Sequence, residues 1–417
     1  MTSPAGTAEV RTGATGRRTV TPRRVAVVVA VALAVGIAHY WYGNRHNFFD
    51  LRIYFAAVRW WAQGHPLYGF SLPDAIQGQL GFTYPPFAAL LMYPMAWVPI
   101  GVVIVVVLLG NLAALGLLTA WLIFPVADRH GWPRWFAFAL AVPLVSTLEP
   151  VRETITFGQI NLLLAVLVVG DLLRAVPRGS KWAGVGLGLA SAIKLTPAVF
   201  IAYLLVARRW RATVNATATA VGATLLAAAV APADSWRYWA HTMWDANKIG
   251  HLDRIPNQAL WGTMLRLATP HEPSRWLWLG LVAVIAGYGL WRATRAARAG
   301  DELAGLTLAG LVGLLVSPVS WQHHLIWFIP ALVMLVDAAA TRRRYRTGYA
   351  VLAAVVWLTV SVGVIAFFDY GLDYRLLDTV PGFLISNWYL LLMLLLVAVL
   401  PIRTGDKAVI GGVSDIS

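Results

Sequence analysis

The sequence predicts an all-α, polytopic integral membrane protein, and three observations lead to that fold class. Of the 417 residues, 59% are hydrophobic and only 12% are charged, whereas an ordinary soluble domain carries about 25% charged residues. Apolar runs close to the length that crosses roughly 30 Å of hydrocarbon recur along the chain, for example at 25–42, 101–124, 276–291 and 383–400. The basic residues fall in short clusters between such runs. We therefore expect no soluble domain of any size.

The charge and the cysteine content narrow the possible chemistry. The formal net charge of +14 fits membrane orientation better than nucleic-acid binding, because the basic residues do not gather on one amphipathic face. Cysteine is absent, which excludes disulfides and cysteine-based metal sites. Histidine, aspartate and glutamate therefore have to carry any chemistry.

The chain begins with a Thr-, Gly- and Arg-rich segment, residues 1–24, which is predicted to be a disordered cytoplasmic tail. The apolar run after it is long for the h-region of a signal peptide and lacks an A-x-A-like cleavage site near its end. It is therefore predicted to be an uncleaved first transmembrane helix. We expect residues 25–402 to form a single transmembrane domain and residues 403–417 to form a second cytoplasmic tail.

Clusters of basic residues predict the orientation. Four arginines between residues 17 and 24 precede the first span, which places the N-terminus in the cytoplasm by the positive-inside rule. The same rule places four later clusters in the cytoplasm, at 174–181, 208–211, 292–298 and 342–346. Five polar stretches then face outward, at 43–83, 146–159, 232–258, 317–324 and 368–381. Because these stretches hold most of the acidic residues and histidines, we expect an active site on the outer (periplasmic) face of the plasma membrane.

The number of spans is expected to be about eleven or twelve, including broken ones. Residues 85–124 are long enough for two spans, but a cytoplasmic position for 128–134 requires an odd number of crossings. The number of spans in residues 85–124 is therefore left open. Residues 182–207 are interrupted by Lys194-Leu-Thr-Pro197, which predicts two short helices with a break that is buried in protein or lines a cavity. No internal repeat is evident, which counts against a transporter built from inverted halves.

Asp50 lies just beyond the first predicted span. Apolar and aromatic positions between residues 48 and 61 recur at helical spacing, which predicts an amphipathic helix on the outer interface. Asp50 would be its N-cap or first-turn residue, and a simple cap is the plainer role for such an aspartate. A carboxylate at the point where an amphipathic helix leaves the membrane is also well placed to act as a base.

Lys194 is the second candidate, because a lysine within an apolar stretch is costly and usually meets an anion or a cavity. Snorkelling of its amine to the interface is the alternative. The two prolines of Phe82-Thr-Tyr-Pro-Pro-Phe87 indicate by themselves only that a helix starts there.

Adjacent histidines follow Ser317-Pro-Val-Ser-Trp321. On a helix, the side chains of His323 and His324 would point about 100° apart, so they are not expected to bind one metal together. One of them could hydrogen-bond a phosphate or a carboxylate, and an interfacial belt of Trp and His is the alternative. The remaining outer polar residues, for which local salt bridges are the plainer explanation, are Glu149, Arg152, Glu153, Gln159 and Asn161.

Taken together, these segments resemble glycosyltransferase family 87, whose members are polytopic enzymes of the GT-C class that use polyprenol-phosphate sugars. The resemblance rests on the order and spacing of short motifs from about residue 48 to the last helices. They are Asp50-Leu-Arg-Ile-Tyr54, Gly64-His-Pro-Leu-Tyr68, Phe82-Thr-Tyr-Pro-Pro86, Gly158-Gln-Ile-Asn161, Lys194-Leu-Thr-Pro197 and Ser317-Pro-Val-Ser-Trp321 with His323 and His324. Within the family, the chain is similar to actinobacterial polyprenol-phosphate-mannose-dependent α-1,2-mannosyltransferases that extend phosphatidylinositol mannosides or branch lipomannan.

The resemblance implies that residues 25–402 are a GT-C transmembrane catalytic domain that moves mannose from polyprenol-phosphate mannose to a glycolipid hydroxyl, with inversion. It implies that Asp50 is the base and that His323 or His324 assists. We assign Lys194 to the leaving phosphate, with Arg52 as a helper. The other substrate-binding residues that we expect are Tyr54, Tyr84, Glu149, Glu153, Gln159 and Trp321. We expect no metal and no cofactor.

Two other functions stay open at this point. A polyprenol-phosphate arabinofuranosyltransferase is the nearest alternative enzyme. A transporter of lipids or lipid-linked sugars would also need outer cations and buried polar groups, although the one-sided clustering of polar residues counts against it. The partners that we expect are a polyprenol-phosphate sugar donor, a glycolipid acceptor and the lipid bilayer, and not a nucleic acid.

Overall fold

Helices form nearly all the regular structure of the protein. The computed structural model describes residues 20–43, 46–74, 78–245, 250–341, 343–366 and 379–403. The helices are α1 (Pro22–Tyr42), α2 (Phe49–Ala62), α3 (Pro86–Met92), α4 (Ile100–Arg129), α5 (Arg134–Ser146), α6 (Glu149–Phe157), α7 (Asn161–Gly170), α8 (Val185–Ile193), α9 (Val199–Val206), α10 (Trp210–Val230), α11 (Pro232–Ala240), α12 (Leu260–Ala268), α13 (Arg275–Arg298), α14 (Glu302–Val316), α15 (Phe328–Thr341), α16 (Arg346–Val362), α17 (Val380–Ser386) and α18 (Trp388–Val399). Two short antiparallel strands, β1 (Leu72–Asp74) and β2 (Gly78–Leu80), form a hairpin.

Several helices have the length and composition that a bilayer requires. Within the described ranges, four are long and apolar enough to cross a membrane, namely Pro22–Trp41, Ile100–Arg129, Trp210–Val230 and Arg275–Arg298. Two more candidates are bent pairs, α6 with the helical stretch that contains α7 (118°) and α17 with α18 (70°). Large apolar side chains on these helices remain exposed, as a surface that faces lipid requires. The protein is therefore a helical membrane protein, which confirms this part of the predicted fold class.

The core is built around α14, in which eleven of fifteen residues are buried. This helix is apolar on all sides, and it packs against α9, α13, α15 and α18. Its glycines make this close packing possible. A Cβ added at Gly310 would lie 2.6 Å from the Trp327 ring, and one at Gly313 would lie 2.7 Å from a methyl carbon of Val199. Small residues therefore let neighbouring segments approach the backbone of α14.

Polar side chains gather at two separate ends of the helix bundle. At one end, Asp337 in α15 accepts a hydrogen bond from Arg129 (2.5 Å), and its other carboxylate oxygen lies 3.0 Å from Nε2 of His130. At the other end, the side chain of Asn111 donates to the backbone oxygen of Gln159 (2.9 Å). Asn111 and Arg129 both lie in α4, and eighteen residues of α-helix span about 27 Å. The two ends are therefore separated by about the thickness of a hydrocarbon core.

Segments that the basic clusters assign to the cytoplasm meet at the Asp337 end. Arg403 pairs with Asp337 (3.5 Å) and with Asp301 at the start of α14 (2.6 Å). Arg209 donates to Glu302, the first residue of α14. Arg292 donates to the backbone oxygen of Leu400 (2.6 Å), close to Arg403 in sequence. The three predicted cytoplasmic segments that contain these arginines thus lie at one end of the bundle.

The structure shows how the helices are divided in residues 182–207 and 85–124. Residues 182–207 contain two short helices, α8 and α9, with a break from Lys194 to Ala198, which confirms the predicted interruption. Residues 85–124, which were long enough for two spans, contain the seven-residue α3 and only the first part of one long helix, α4. Of the tails predicted at 1–24 and 403–417, residues 1–19 and 404–417 lie outside the described residues, as does most of the stretch at 368–381. α1 begins at Pro22, within the segment predicted as the N-terminal tail.

Candidate active site

The end of the bundle opposite Asp337 is organised by a close approach of α2 to α6. The predicted helix over 48–61 is confirmed, and Asp50 lies in its first turn. Gly158 follows the last residue of α6 with φ of 73°, and a Cβ there would lie 2.6 Å from the Cβ of Leu51 in α2. Glycine is the residue that accepts both the left-handed conformation and this contact. The backbone N–H of Phe48 also donates to the oxygen of Thr156 (2.8 Å), and Asp50 is thereby set beside Gln159.

Gln159 is the centre of a buried hydrogen-bond chain. Its Nε2 donates to Oδ2 of Asp50 (2.5 Å) and to the hydroxyl of Tyr54 (3.3 Å). Its Oε1 accepts from the hydroxyl of Tyr84 (2.6 Å). An ionised carboxylate can only accept hydrogen bonds, so the amide donor fits the charged form of Asp50. Gln159 therefore orients the Asp50 carboxylate and links it to the two tyrosines.

Lys194 continues this chain from the break between α8 and α9. It follows the last residue of α8 with an extended backbone, and it is 8% exposed. Its Nζ donates to Oδ1 of Asn161 (2.9 Å) and to the hydroxyl of Tyr84 (3.5 Å), and lies 3.1 Å from Nε2 of His324. The amine is thus bound by polar groups inside the protein, which is the arrangement expected for a cavity rather than for snorkelling.

The two histidines lie in a short 3-10 turn, Gln322–His324, between α14 and α15. Side chains of α6 and α7 fix this turn, because the His323 carbonyl accepts from Nδ2 of Asn161 (2.9 Å) and from Oγ1 of Thr154 (3.1 Å). His324 is the histidine that faces Lys194, while the ring of His323 packs beside Phe157 with centroids 5.6 Å apart. When Lys194 donates to Nε2 of His324, the imidazole proton is on Nδ1. Nδ1 is buried and has no hydrogen-bond partner in the part of the chain that the structure describes.

A second support for the turn, Asn257 with Gln258, was not predicted from the sequence. Oδ1 of Asn257 accepts from the N–H of Ser320 (2.9 Å), and its Nδ2 donates to the Pro318 oxygen (3.2 Å). The N–H of Gln258 donates to the Ser320 oxygen (2.9 Å). Both side chains are fully buried. In sequence they are only an Asn-Gln pair before a helix, and no local signal distinguishes them from an ordinary loop.

Asp50 is the carboxylate that is joined to this hydrogen-bond chain. Burial raises the pKa of the Asp50 carboxyl to about 6, although the Gln159 donor and the nearby positive charges of Lys194 and His46 lower it. Burial, and then the neighbouring charge of Lys194, hold the pKa of His323 and of His324 well below the usual range. Both imidazoles are therefore neutral at pH 7, and they can donate or accept hydrogen bonds without adding charge.

Four other residues predicted to bind substrate differ in how close they lie to the hydrogen-bond chain that joins Asp50 to Lys194. In Glu153, Oε1 lies 3.3 Å from Nε2 of Gln322, beside the histidine turn, and Trp321 is the half-buried residue just before that turn. Glu149 lies toward α18 and accepts a hydrogen bond from the hydroxyl of Tyr389. Arg52 is on the exposed side of α2 and donates to the backbone oxygen of Asn47 (2.8 Å). The structure thus brings most, but not all, of the predicted residues together.

An apolar cavity of about 50 Å³ adjoins the polar chain at Asn161 and His324. Its remaining walls are largely apolar and come mainly from α7, α9 and α14 and from Trp327. No group of three or more His, Cys, Asp or Glu side chains that could hold a metal ion occurs among the described residues. The arrangement offers a base for a hydroxyl, a cation for an anionic group and an apolar space next to that cation.

The chain is similar to known membrane glycosyltransferases. Residues 82–318 match glycosyltransferase family 87. A protein of Mycolicibacterium smegmatis, named polyprenol-phosphate-mannose-dependent alpha-(1-2)-phosphatidylinositol mannoside mannosyltransferase, is 37% identical over 75% of this chain and 76% of its own length. A protein of the same name from Mycobacterium tuberculosis is 36% identical over 76% of each chain. A pentamannoside mannosyltransferase of Mycolicibacterium smegmatis is 34% identical over 72% of each. No solved structure matches the chain.

Proposed function

The chain belongs to glycosyltransferase family 87, and from this membership we propose that it transfers mannose from polyprenol-phosphate mannose to a glycolipid hydroxyl. The names of the relatives support this donor and an acceptor of the phosphatidylinositol mannoside class. A lipomannan-type glycolipid is an acceptor of the same chemistry. We infer an α-1,2 linkage in the product, formed with inversion at the anomeric carbon. Both substrates are lipids, so the bilayer delivers them to the enzyme.

The chemistry requires one base and one anion-binding group. Mannose is β-linked in the donor, so an α product requires a single displacement, in which Asp50 takes the proton of the attacking hydroxyl. The new bond forms at the anomeric carbon while the bond to the phosphate oxygen breaks, and the phosphate keeps the electron pair. Lys194 and the Nδ1–H of His324 stabilise the charge that develops on that phosphate. No proton has to be given to the leaving group.

The observation that carries this proposal is the continuous chain from Asp50 through Gln159 and Tyr84 to Lys194, with an apolar cavity beside its far end. Two neutral side chains separate the carboxylate from the amine. The mannose ring is proposed to lie alongside these two side chains, between the base and the cation, with the polyprenyl chain directed toward the cavity. Tyr54, Glu153 and Trp321 are assigned to the sugar and acceptor hydroxyls around this position.

The proposal is tested by sugar transfer with the purified full-length protein in lipid nanodiscs. The protein is incubated with polyprenol-phosphate mannose and phosphatidylinositol mannosides of different lengths, and the product linkage is identified by NMR. We expect one added α-1,2-mannose. Polyprenol-phosphate arabinose and GDP-mannose serve as competing donors, and transfer from either of them with no transfer from polyprenol-phosphate mannose would refute the proposal.

We propose further that the Asp50 end of the bundle faces outward and that residues 25–402 act as one catalytic unit. With the Asp337 end inside, we infer about twelve crossings, of which four are made by helices that are long and apolar enough to span a membrane alone. In order, the segments inferred to cross are α1, α4, α5, α7, α8, α9, α10, α13, α14, α15, α16 and α18. An even number leaves both terminal tails in the cytoplasm. α2 and α11 remain on the outer side, where α2 is proposed to border the groove for the lipid donor.

Single cysteines test this orientation, because the chain contains no cysteine of its own. Ser71 is exposed before the β-hairpin, and Tyr345 is 55% exposed before α16. A membrane-impermeant thiol reagent is expected to label Ser71→Cys in intact cells, and to label Tyr345→Cys only after the cells are permeabilised. The opposite pattern would invert the topology and would leave the outer-face site without support.

Activity is expected to depend on pH through Asp50. Burial raises the pKa of its carboxyl to about 6 against the Gln159 donor, Lys194 and His46, so the basic form is present above that pH and is lost below it. kcat/KM should therefore fall about tenfold for each pH unit below about 6. An ordinary aspartate would keep its charge down to about pH 4. Initial rates between about pH 4.5 and 8 measure this, and a flat profile down to pH 5 would contradict it.

A further inference from the structure

The histidine turn, Gln322–His324, does not hold its position by itself. It is a 3-10 turn of three residues without a side-chain cap, and such turns have poor hydrogen-bond geometry. Its His323 carbonyl is held by side chains of α6 and α7. The segment directly before the turn, residues 318–320, is held by Asn257 and Gln258. The position of the turn therefore depends on contacts from other parts of the chain.

Asn257 uses every hydrogen bond that its side-chain amide can make. Oδ1 accepts from the N–H groups of Ser320 (2.9 Å) and Ala259 (3.3 Å). Nδ2 donates to the backbone oxygens of Pro318 (3.2 Å) and Leu252 (2.9 Å). An amide supplies both donors and acceptors, whereas a carboxylate only accepts. No other side chain of the same size supplies both, so this set of contacts requires an asparagine.

The packing of α12 fixes Asn257 in turn. A Cβ added at Gly262 would lie 2.7 Å from the backbone oxygen of Asn257 and 2.8 Å from its side-chain Cγ. The same backbone oxygen accepts from Nη1 of Arg266 (3.0 Å). Asn257 is fully buried, and its neighbours are close-packed. A methyl group at position 262 would therefore have to displace Asn257.

We propose that Asn257 positions His324 for binding of the donor phosphate. This inference rests on the function proposed above. Ser320, which Asn257 holds, directly precedes Trp321, and the Trp321 oxygen accepts from the N–H of His324 (2.8 Å). Ser320 and His324 both line the apolar cavity, and Nε2 of His324 lies 3.1 Å from Nζ of Lys194. Asn257 is thus linked by two short steps to the imidazole that is proposed to face the phosphate.

The effect of Asn257 is expected to concern the donor and not the acceptor. Without its amide, residues 318–320 lose two hydrogen bonds, and the Nδ1–H of His324 moves away from the phosphate. Nζ of Lys194 keeps its hydrogen bond to α7 (2.9 Å), so the phosphate keeps its cation. Within the described part of the chain, the side chain of Asn257 has no hydrogen bond to Asp50. The base should therefore act on the acceptor as before.

The test measures lipid binding and kinetics of the full-length protein in nanodiscs. Asn257→Ala is expected to weaken binding of polyprenyl phosphate about tenfold, because misplacement of a group by about 1 Å can cost up to about 10²-fold. The KM for the acceptor should change by less than about twofold. Gly262→Ala should give the same selective loss, since its methyl group displaces Asn257 without removing a hydrogen-bonding group. Gly262→Ala carries the test if Asn257→Ala does not fold.

Asn387→Ala is the matched control. Asn387 is also fully buried, and its Oδ1 accepts from Thr263 (2.7 Å) and from Arg266 (2.6 Å), the arginine that also binds Asn257. Among the described residues, its side chain has no hydrogen bond to residues 317–324. This variant should unfold at a lower temperature but should keep wild-type affinity for polyprenyl phosphate.

A double-mutant cycle with His324→Ala separates positioning from a general loss of stability. If Asn257 acts through His324, its replacement adds little to donor affinity once the imidazole is absent, whereas independent effects add in full. The proposal is refuted if Asn257→Ala and Gly262→Ala keep wild-type donor affinity, if donor and acceptor are affected alike, or if the losses add in the cycle. Failure of the proposed function gives a different result, since the wild-type protein would then transfer no mannose from polyprenol-phosphate mannose.

Discussion

Replacement of Asp50 by asparagine is expected to lower kcat for mannose transfer by about 10³-fold, while donor binding changes by less than about twofold. An amide cannot accept the proton of the attacking hydroxyl, and a positioned general base contributes about 10²–10⁴-fold. A factor of 10³ corresponds to about 4 kcal/mol in the activation free energy. The asparagine oxygen can still accept from Nε2 of Gln159, so the contact that orients this residue is retained. Turnover is measured with saturating donor in nanodiscs.

The same substitution separates a base from a helix cap. Asparagine caps a helix about as well as aspartate does, so a residue with only a capping role would tolerate it. Near-normal turnover of Asp50→Asn in a folded protein would therefore remove the assignment of Asp50 as the base. Asp74→Asn is a matched control, because Asp74 is the last residue of β1 and lies in the same predicted outer stretch. That variant should keep wild-type kcat, and thermal unfolding of both variants should match the wild-type protein.

The parts of this site that could be predicted from the sequence are those with local causes. The helical spacing between residues 48 and 61 predicted α2, and its first turn then contains Asp50. Pro197 cannot continue an ordinary helix without loss of a hydrogen bond, and the break at Lys194 was predicted for that reason. Each of these inferences uses interactions within about four residues.

The parts that could not be predicted join residues that are far apart in sequence. Gln159 meets Asp50 across 109 positions, and Asn257 holds Ser320 across 63. No spacing in a single chain specifies such contacts, although Gly158 is a local signal for the chain reversal that makes the first of them possible. The number of spans in residues 85–124 could not be predicted for a related reason. Residues 85–124 are apolar almost throughout, and composition alone does not show that a 3-10 segment at Tyr93–Trp97 precedes a single long helix.

Replacement of Lys194 by methionine is expected to weaken binding of polyprenyl phosphate at least tenfold and to lower kcat about 10²-fold. Methionine keeps most of the volume of the side chain but removes the cation that faces the phosphate, and groups that stabilise developing charge contribute about 10²–10³-fold. Lys194→Ala should show the same losses with an added cavity. Binding of polyprenol without phosphate should change little, because the apolar cavity is left intact. Titration of nanodiscs with each lipid measures both affinities.

A structural role of Lys194 has to be separated from a role in phosphate binding. Loss of the amine leaves Oδ1 of Asn161 without the donor that it has now (2.9 Å), and a buried polar atom without a partner costs about 1–3 kcal/mol. The variant should therefore unfold at a lower temperature. A general loss of stability would weaken binding of both lipids equally, whereas loss of a phosphate contact affects only the phosphorylated one. Lys181→Met, at an exposed lysine close to Trp182, is the control for the substitution itself. Unchanged affinity of Lys194→Met for polyprenyl phosphate would show that the amine does not face the donor, and the leaving group would then need a different cation.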